Sequence, residues 1–187
     1  GALALIILFQ DEIRRFLREV GSRQRVHRFV DFFTGKKENK IDHTELMPIV
    51  MACMNMSKRK EGALIVIEQG DKLGEIIKTG ETVDANINQL LIENIFFKNS
   101  PLHDGAMIIS GHRIAAAACI LPVSNDLDIP KHFGLRHRAA RGISKDTDAL
   151  AIVVSEETGN ITAAYNNKFR ARLTAEELEL ILTKGKF

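Results

Sequence analysis

Cysteine is scarce. Cys53 and Cys119 are the two thiols of a 187-residue chain, and both sit in apolar runs, MACMNM and AAAACIL. No CxxC pairing occurs, which argues against a disulfide framework and for two buried, reduced thiols in a cytosolic protein. No His/Cys spacing supports a tetrahedral zinc site. A surplus of one charge is also missing. The net charge of +2 gives no reason to expect a nucleic acid polymer as partner, so any anion site must come from local clusters. There is no GxxxxGKS or GxxxxGKT, no GxGxxG and no GxSxG, which excludes the P-loop, the dinucleotide fingerprint and the nucleophile elbow. No secretory signal and no internal repeat are found. The opening run GALALIILF is apolar for about half the length that a membrane-spanning helix needs. The chain starts on Gly1 instead of Met, and is expected to be trimmed from a longer one.

What is present is a core. Hydrophobic residues make up 45% of the chain, too many for disorder, and the length fits one domain or one domain plus an anchoring segment. Leu5, Leu8, Phe9, Ile13, Phe16, Leu17 and Val20 recur at three- and four-residue steps, so residues 1–21 are expected to form a helix with one apolar face that ends at Gly21. It reads either as the continuation of a membrane segment or as the start of a soluble helix. Residues 22–41 turn polar and basic and read as a linker. The remainder, 42–187, reads as the main domain.

Within that domain a helix is expected from Asp42 to about Ser57, with Pro48 tolerable in its first turn. GALIVIE (62–68) reads as a buried strand. Asp84–Phe96 reads as a helix capped by Asp84. AMIISGHRIAAAACIL reads as two strands about a Gly111-His112 turn. ALAIVVS (149–155) reads as a strand leading through EETGN into ITAAY. Thr174–Leu182 closes the chain as a helix, with Thr174 and Glu177 as a capping box. Strands and helices mix without strict alternation. The fold class expected is α/β, a mixed β-sheet flanked by helices.

Three polar constellations lie at strand or helix ends, where sites on α/β sheets form. In SPLHDGA (100–106), Asp104 enters a strand beside Gly105, which would let a ligand approach the backbone. Its carboxylate could hold a hard cation or deprotonate a hydroxyl, or the Asp-Gly pair could be an ordinary turn. The His103-Asp104 pair also resembles the metal dyad of HD phosphohydrolases, but those are helical and this pair feeds a strand. In GLRHRAARG (134–142), Arg136, His137 and Arg138 would bring guanidinium forks and free backbone N–H groups to one point if they open a helix; the alternative is a solvated basic turn. In SEETG (155–159), Ser155 and Glu157 could reach a ribose, base or metal, or simply turn a hairpin.

Taken in order, PLHDGA and RHRAA resemble the DGA and RHR motifs of the diadenylate cyclase domain family, in its membrane-anchored CdaA-type branch. GALIVIE, TGETVDA, LLIENIF, ILPVS and VVSEETGNI resemble the same family, over Gly62–Phe169. The resemblance implies that 42–187 is a catalytic domain condensing two ATP into cyclic di-3′,5′-AMP, a bacterial second messenger, with release of two pyrophosphates. It implies a divalent metal (Mn²⁺, Mg²⁺ or Co²⁺) on Asp104, His103 and Glu157, with Asp104 also activating the 3′-hydroxyl of ATP. Gly105 and Ala106 would border the ribose and phosphates, Arg136, His137 and Arg138 would bind phosphates, and Leu121 would lie near the nucleoside. Ser155 and Glu157 would stand at the triphosphate. Leu135 occupies a nucleotide-contacting position where many members carry Thr, so a hydroxyl contact is lost there.

A symmetric product made with one set of residues per chain implies a homodimer, each copy holding one ATP. The resemblance also places the domain on the cytoplasmic face of the cell membrane, after an anchor missing here, and leaves room for a membrane-protein regulator. The rival readings are a non-catalytic adenine-nucleotide sensor of the same fold, which would need no acidic metal ligand, and a metal-dependent nucleotide phosphodiesterase.

Overall fold

A computed structural model describes residues 43–123 and 133–184; the helix expected over 1–21 and the linker over 22–41 lie outside the described residues. The described chain runs α1 (His43–Arg59), β1 (Ala63–Ile67), α2 (Gly74–Ile77), β2 (Glu81–Asn86), α3 (Gln89–Ile95), β3 (Ala106–Ser110) and β4 (Arg113–Cys119). It continues with α4 (Leu135–Asp146), β5 (Leu150–Val154), β6 (Ile161–Tyr165), β7 (Lys168–Ala171) and α5 (Ala175–Lys184). The seven strands form one sheet in the order β2-β4-β3-β1-β5-β6-β7. β1 and β3 pair parallel and the other neighbours antiparallel, so the sheet is mixed, as expected.

The sheet is covered on both faces, and β1 shows why its sequence is uniformly apolar. Side chains alternate along a strand. Ala63, Ile65 and Ile67 enter one core with Ile49, Cys53 and Met56 of α1, Ile92 of α3 and Leu178 and Ile181 of α5. Leu64 and Val66 enter the other, with Ala139, Ala140 and Ile143 of α4. A strand buried on both faces has no polar position to offer. The small residues Ala139 and Ala140 let α4 lie close to the sheet. Both thiols are free and buried.

Two turn signals act as their chemistry dictates. Gly111 and His112 both take positive φ, 56° and 66°, the conformation that a two-residue hairpin demands. At the start of α5, the Thr174 hydroxyl accepts from the Glu177 N–H and the Glu177 carboxylate accepts from the Thr174 N–H, a reciprocal cap.

Three expectations are corrected. The helix expected over Asp84–Phe96 starts later, because residues 84–86 belong to edge strand β2. Asp84 sits there at a register shift with φ 44°, its carboxylate engaged by Arg113; the cap of α3 is Asn88, whose side chain accepts from the N–H groups of Leu90 and Leu91. Pro48 lies beyond the first turn of α1, inside the helix. Strand β7, a polar edge strand, has no counterpart in the sequence reading.

Candidate active site

Register puts the three constellations at one end of the sheet. Ala63 opposes Val154 and Ile65 pairs with Met107, so Gly62 before β1, Gly105 before β3 and Ser155 after β5 lie at the same edge. Ala106 opposes Cys119, which adds Ile120 and Leu121 after β4. The N-terminus of α4 meets this edge with Gly134 as its cap. Arg136, His137 and Arg138 therefore fall in its first turns, and the reading of this triplet as a helix opening is the one the structure shows.

Arg136 ties the constellations together. Its Nη1 lies 2.9 Å from the Glu156 carboxylate and its Nη2 donates to the His103 carbonyl at 3.4 Å. One guanidinium thus spans the loop before β3 and the turn after β5. The side chain is 22% exposed, and its Nε is buried without a hydrogen-bond partner. The glycine before β1 lies directly beneath: a Cβ on Gly62 would stand 2.7 Å from Nη1.

The loop before β3 is held by its own backbone and one ring. His103 N–H donates to the Ser100 carbonyl, and His103 Nδ1 lies 2.6 Å from that same oxygen. A carbonyl only accepts, so Nδ1 donates, and the neutral tautomer with this contact leaves its lone pair on Nε2. Asp104 is exposed. Gly105 has φ 113°, and a Cβ there would stand 2.8 Å from the Ala118 and Cys119 backbone. The space expected for a ligand at this glycine is filled by β4, so the fold itself requires the residue. Burial pushes the adjacent Cys119 thiol up to about 11, which makes it a poor nucleophile.

The turn after β5 is anchored from both sides. Ser155 Oγ accepts from the Thr158 N–H, and Ser57 of α1 donates to the Gly159 carbonyl. Gly159 takes φ 76° with Ser57 against it. This turn presents Glu156 and Glu157 outward, both exposed.

The remaining residues differ in exposure. His137 is 5% exposed and stacks on Phe133 at 4.1 Å between ring centroids, with Phe169 edge-on. Its ring packs against Phe133 and Phe169, whereas the Arg136 guanidinium reaches His103 and Glu156. Leu121 is buried and Leu135 is 76% exposed. Among the described residues no three His, Cys, Asp or Glu side chains gather into a metal cage, so His103, Asp104 and Glu157 do not form one by themselves. A cleft of about 270 Å³ lies elsewhere, lined by Arg59, Glu61, Leu90, Glu93, Asn94 and Phe97, and holds no residue of the three polar constellations. Sequence reasoning missed Gly62 and Glu156. Their signals were a glycine directly before the most apolar strand and a second carboxylate beside Glu157.

The family model for the DisA bacterial checkpoint controller nucleotide-binding domain, DAC, matches residues 50–169. The chain belongs to this diadenylate cyclase family. The family match spans the junction just described, from α1 to Phe169. The chain is 43% identical over 182 residues to the cyclic di-AMP synthase CdaA of Bacillus subtilis, covering 97% of this chain and 65% of that protein. It is 41% identical over 184 residues to a diadenylate cyclase of Listeria monocytogenes, covering 98% and 66%. The chain thus spans slightly less than two thirds of the length of these relatives. Among solved structures, a cysteine double mutant of DacA from Staphylococcus aureus matches at TM-score 0.73 and 45% identity, covering 75% of this chain and 95% of that one. A protein described as a hypothetical membrane spanning protein from Bacillus cereus matches at TM-score 0.66 and 34% identity, covering 90% and 80%.

Proposed function

We propose that this chain is the catalytic domain of a diadenylate cyclase, condensing two ATP into cyclic di-3′,5′-AMP with release of two pyrophosphates. The observation that carries the reading is the Arg136 guanidinium, which joins the loop of Asp104 to the turn of Ser155 and Glu157 at one end of the sheet. Membership of the DAC family and the cyclase relatives supply the chemistry.

The roles follow from the groups available. The exposed Asp104 carboxylate takes the proton of a 3′-hydroxyl as that oxygen attacks the α-phosphorus of the second ATP. A new P–O bond forms, the bond to the β-phosphate breaks, and pyrophosphate leaves; a second such event closes the ring. Arg136 and Arg138 at the opening of α4 neutralise the triphosphate, helped by the N–H groups there. Ser155 borders the triphosphate and the exposed Leu135 leans on the nucleoside without a hydroxyl contact, whereas Ala106 is fully buried and Leu121 nearly so, so these two back the nucleotide from the core. His137, buried against Phe133, serves by fixing the helix that carries both arginines. Gly105 keeps β3 and β4 close enough for Asp104 to stand at the edge.

The donors fit a hard divalent cation. Asp104 and Glu157 offer carboxylate oxygens, and His103 offers Nε2 because its Nδ1 is engaged by Ser100, an orientation typical of ligating histidines. Such cations are commonly completed by substrate phosphates, so no preformed cage is required. The metal, Mn²⁺, Mg²⁺ or Co²⁺, would supply charge neutralisation at the transferring phosphoryl group.

Both events need a 3′-hydroxyl and its base, and each chain has one Asp104. The active species is therefore a homodimer with the two sites facing, one ATP in each. Exposed Ile120, Val123 and Leu135 beside the site are apolar surface that such pairing would cover. Similarity to a protein described as a hypothetical membrane spanning protein supports an anchored full-length protein; the cytoplasmic face and a membrane regulator rest on the family resemblance alone. Among the described residues no helix is long and apolar enough to cross a membrane.

Incubation with ATP and Mn²⁺, followed by product mass, tests the reading. Cyclic di-AMP and pyrophosphate are expected. Hydrolysis to AMP or ADP would make the protein a phosphodiesterase or phosphatase, and binding without turnover would make it a sensor.

A further inference from the structure

We infer that Gly62 and Glu156 are positioning residues that together seat the Arg136 guanidinium; the inference rests on the cyclase reading above. Gly62 is buried at the entrance to β1. An added Cβ would meet Arg136 Nη1 at 2.7 Å, Arg136 Cζ at 3.0 Å and Glu156 Oε2 at 3.0 Å. The guanidinium therefore lies where any side chain at position 62 would be. It is bounded by Gly62, by the Glu156 carboxylate on Nη1 and by the His103 carbonyl on Nη2.

The seat matters because a guanidinium recognises phosphate as a planar fork, which works in one orientation. A displacement of about 1 Å at such a group costs about a hundredfold in rate. Neither partner would suffice alone. The Glu156 side chain is 64% exposed, and an ion pair so exposed fixes little by itself. The glycine supplies the wall that turns a loose pair into a defined one.

The same geometry separates function from stability. The φ of Gly62 lies outside the left-handed region, so its backbone accepts alanine. The atoms a methyl group would meet are the far ends of two flexible side chains. Those ends can move while β1 stays in place. Gly62→Ala should fold and should displace Arg136.

The test is a double-mutant cycle between Gly62→Ala and Arg136→Lys on the full chain, read as ATP affinity by calorimetry and as kcat and KM for cyclic product. Gly62→Ala is expected to melt within a few degrees of wild type and to lose about tenfold to a hundredfold in kcat/KM. In the Arg136→Lys background, where no fork remains to be seated, the further loss should largely vanish. Full activity in Gly62→Ala, or an equal loss in both backgrounds, overturns the inference. If Gly62→Ala does not fold, Glu156→Ala and Glu156→Gln decide. The amide keeps an oxygen to accept from Nη1, so Gln should retain more activity than Ala, and only while Arg136 is present. Glu156 variants indifferent to Arg136 overturn the inference. If the wild type makes no cyclic product, the cyclase reading fails, and the cycle on ATP affinity still judges the seat.

Discussion

Arg136→Ala should leave stability nearly unchanged while weakening ATP binding. In the folded chain the side chain makes one ion pair, to Glu156, and one long hydrogen bond, to His103. Glu156 is 64% exposed, so solvent holds the pair to less than about 1 kcal/mol. Truncation also removes Nε, a buried donor without a partner, whose burial is itself unfavourable. The two effects oppose each other, and the melting temperature should move by no more than about 4 °C. ATP has no such compensation. Loss of a charge-assisted bond to phosphate costs about 1.5–3 kcal/mol, or about tenfold to 150-fold in dissociation constant. Calorimetric titration with ATP, AMP and adenosine reads the difference. ATP should weaken most, AMP less and adenosine least. Equal losses for ATP and adenosine would mean a general folding defect, and an unchanged ATP affinity would refute the placement of Arg136 at the phosphates.

Asp104→Asn keeps size and removes charge at an exposed position. Cyclic product should fall by orders of magnitude while thermal unfolding stays put, and near-normal product in a coupled pyrophosphate assay would remove Asp104 from the chemistry. When Asp104→Asn and wild-type chains are mixed and exchange freely, cyclic product should follow the square of the wild-type fraction, because a mixed dimer makes one bond and stops at linear diadenylate; a linear dependence would mean that one chain completes the reaction alone. Cys53 makes a prediction about pH. Burial pushes its thiol from 9.0 up to about 12, so above pH 9.0 the unfolded chain gives up a proton that the folded chain retains. Stability should be fully present below that pH and fall by about 1.4 kcal/mol per pH unit as pH rises toward the folded value. Urea melts of Cys53→Ala across that window should show a correspondingly shallower slope, and an identical slope would contradict the buried thiol.

The sequence spoke most clearly where one constraint governed a whole segment. β1 is buried on both faces, so GALIVIE had no polar position and read as a strand. Gly111 and His112 had to carry positive φ, so the β3–β4 hairpin was visible as a turn between two apolar runs. Thr174 and Glu177 cap each other across three residues, a purely local signal. Edge strands were harder. β2 exposes four of its six residues and β7 two of its four, and Asp84 before LLIENIF imitates a helix cap, although its carboxylate is taken by Arg113 from the neighbouring strand. Pro48 stayed compatible with α1 because tertiary packing of Leu46, Ile49, Val50 and Cys53 outweighs one missing backbone bond.

At the site, the three motifs could be read singly, but their meeting could not. Glu156 and Glu157 are indistinguishable in SEETG until a register places one of them against Arg136. Gly62 looks like a strand boundary until the guanidinium above it is seen. His137 reads as a third phosphate ligand from its place in RHR, yet the rings of Phe133 and Phe169 enclose it, a relation set by residues four before it and more than thirty after it in the chain.

Two ATP molecules are joined into one product, and isotope labelling tests this without mutation. Equal amounts of unlabelled ATP and ATP labelled in the adenine ring are incubated with the protein and Mn²⁺, and the product is resolved by mass. Cyclic di-AMP is expected in unlabelled, half-labelled and fully labelled forms in a binomial pattern, with pyrophosphate released in step. A product carrying a single adenosine, labelled or not and never mixed, would contradict it.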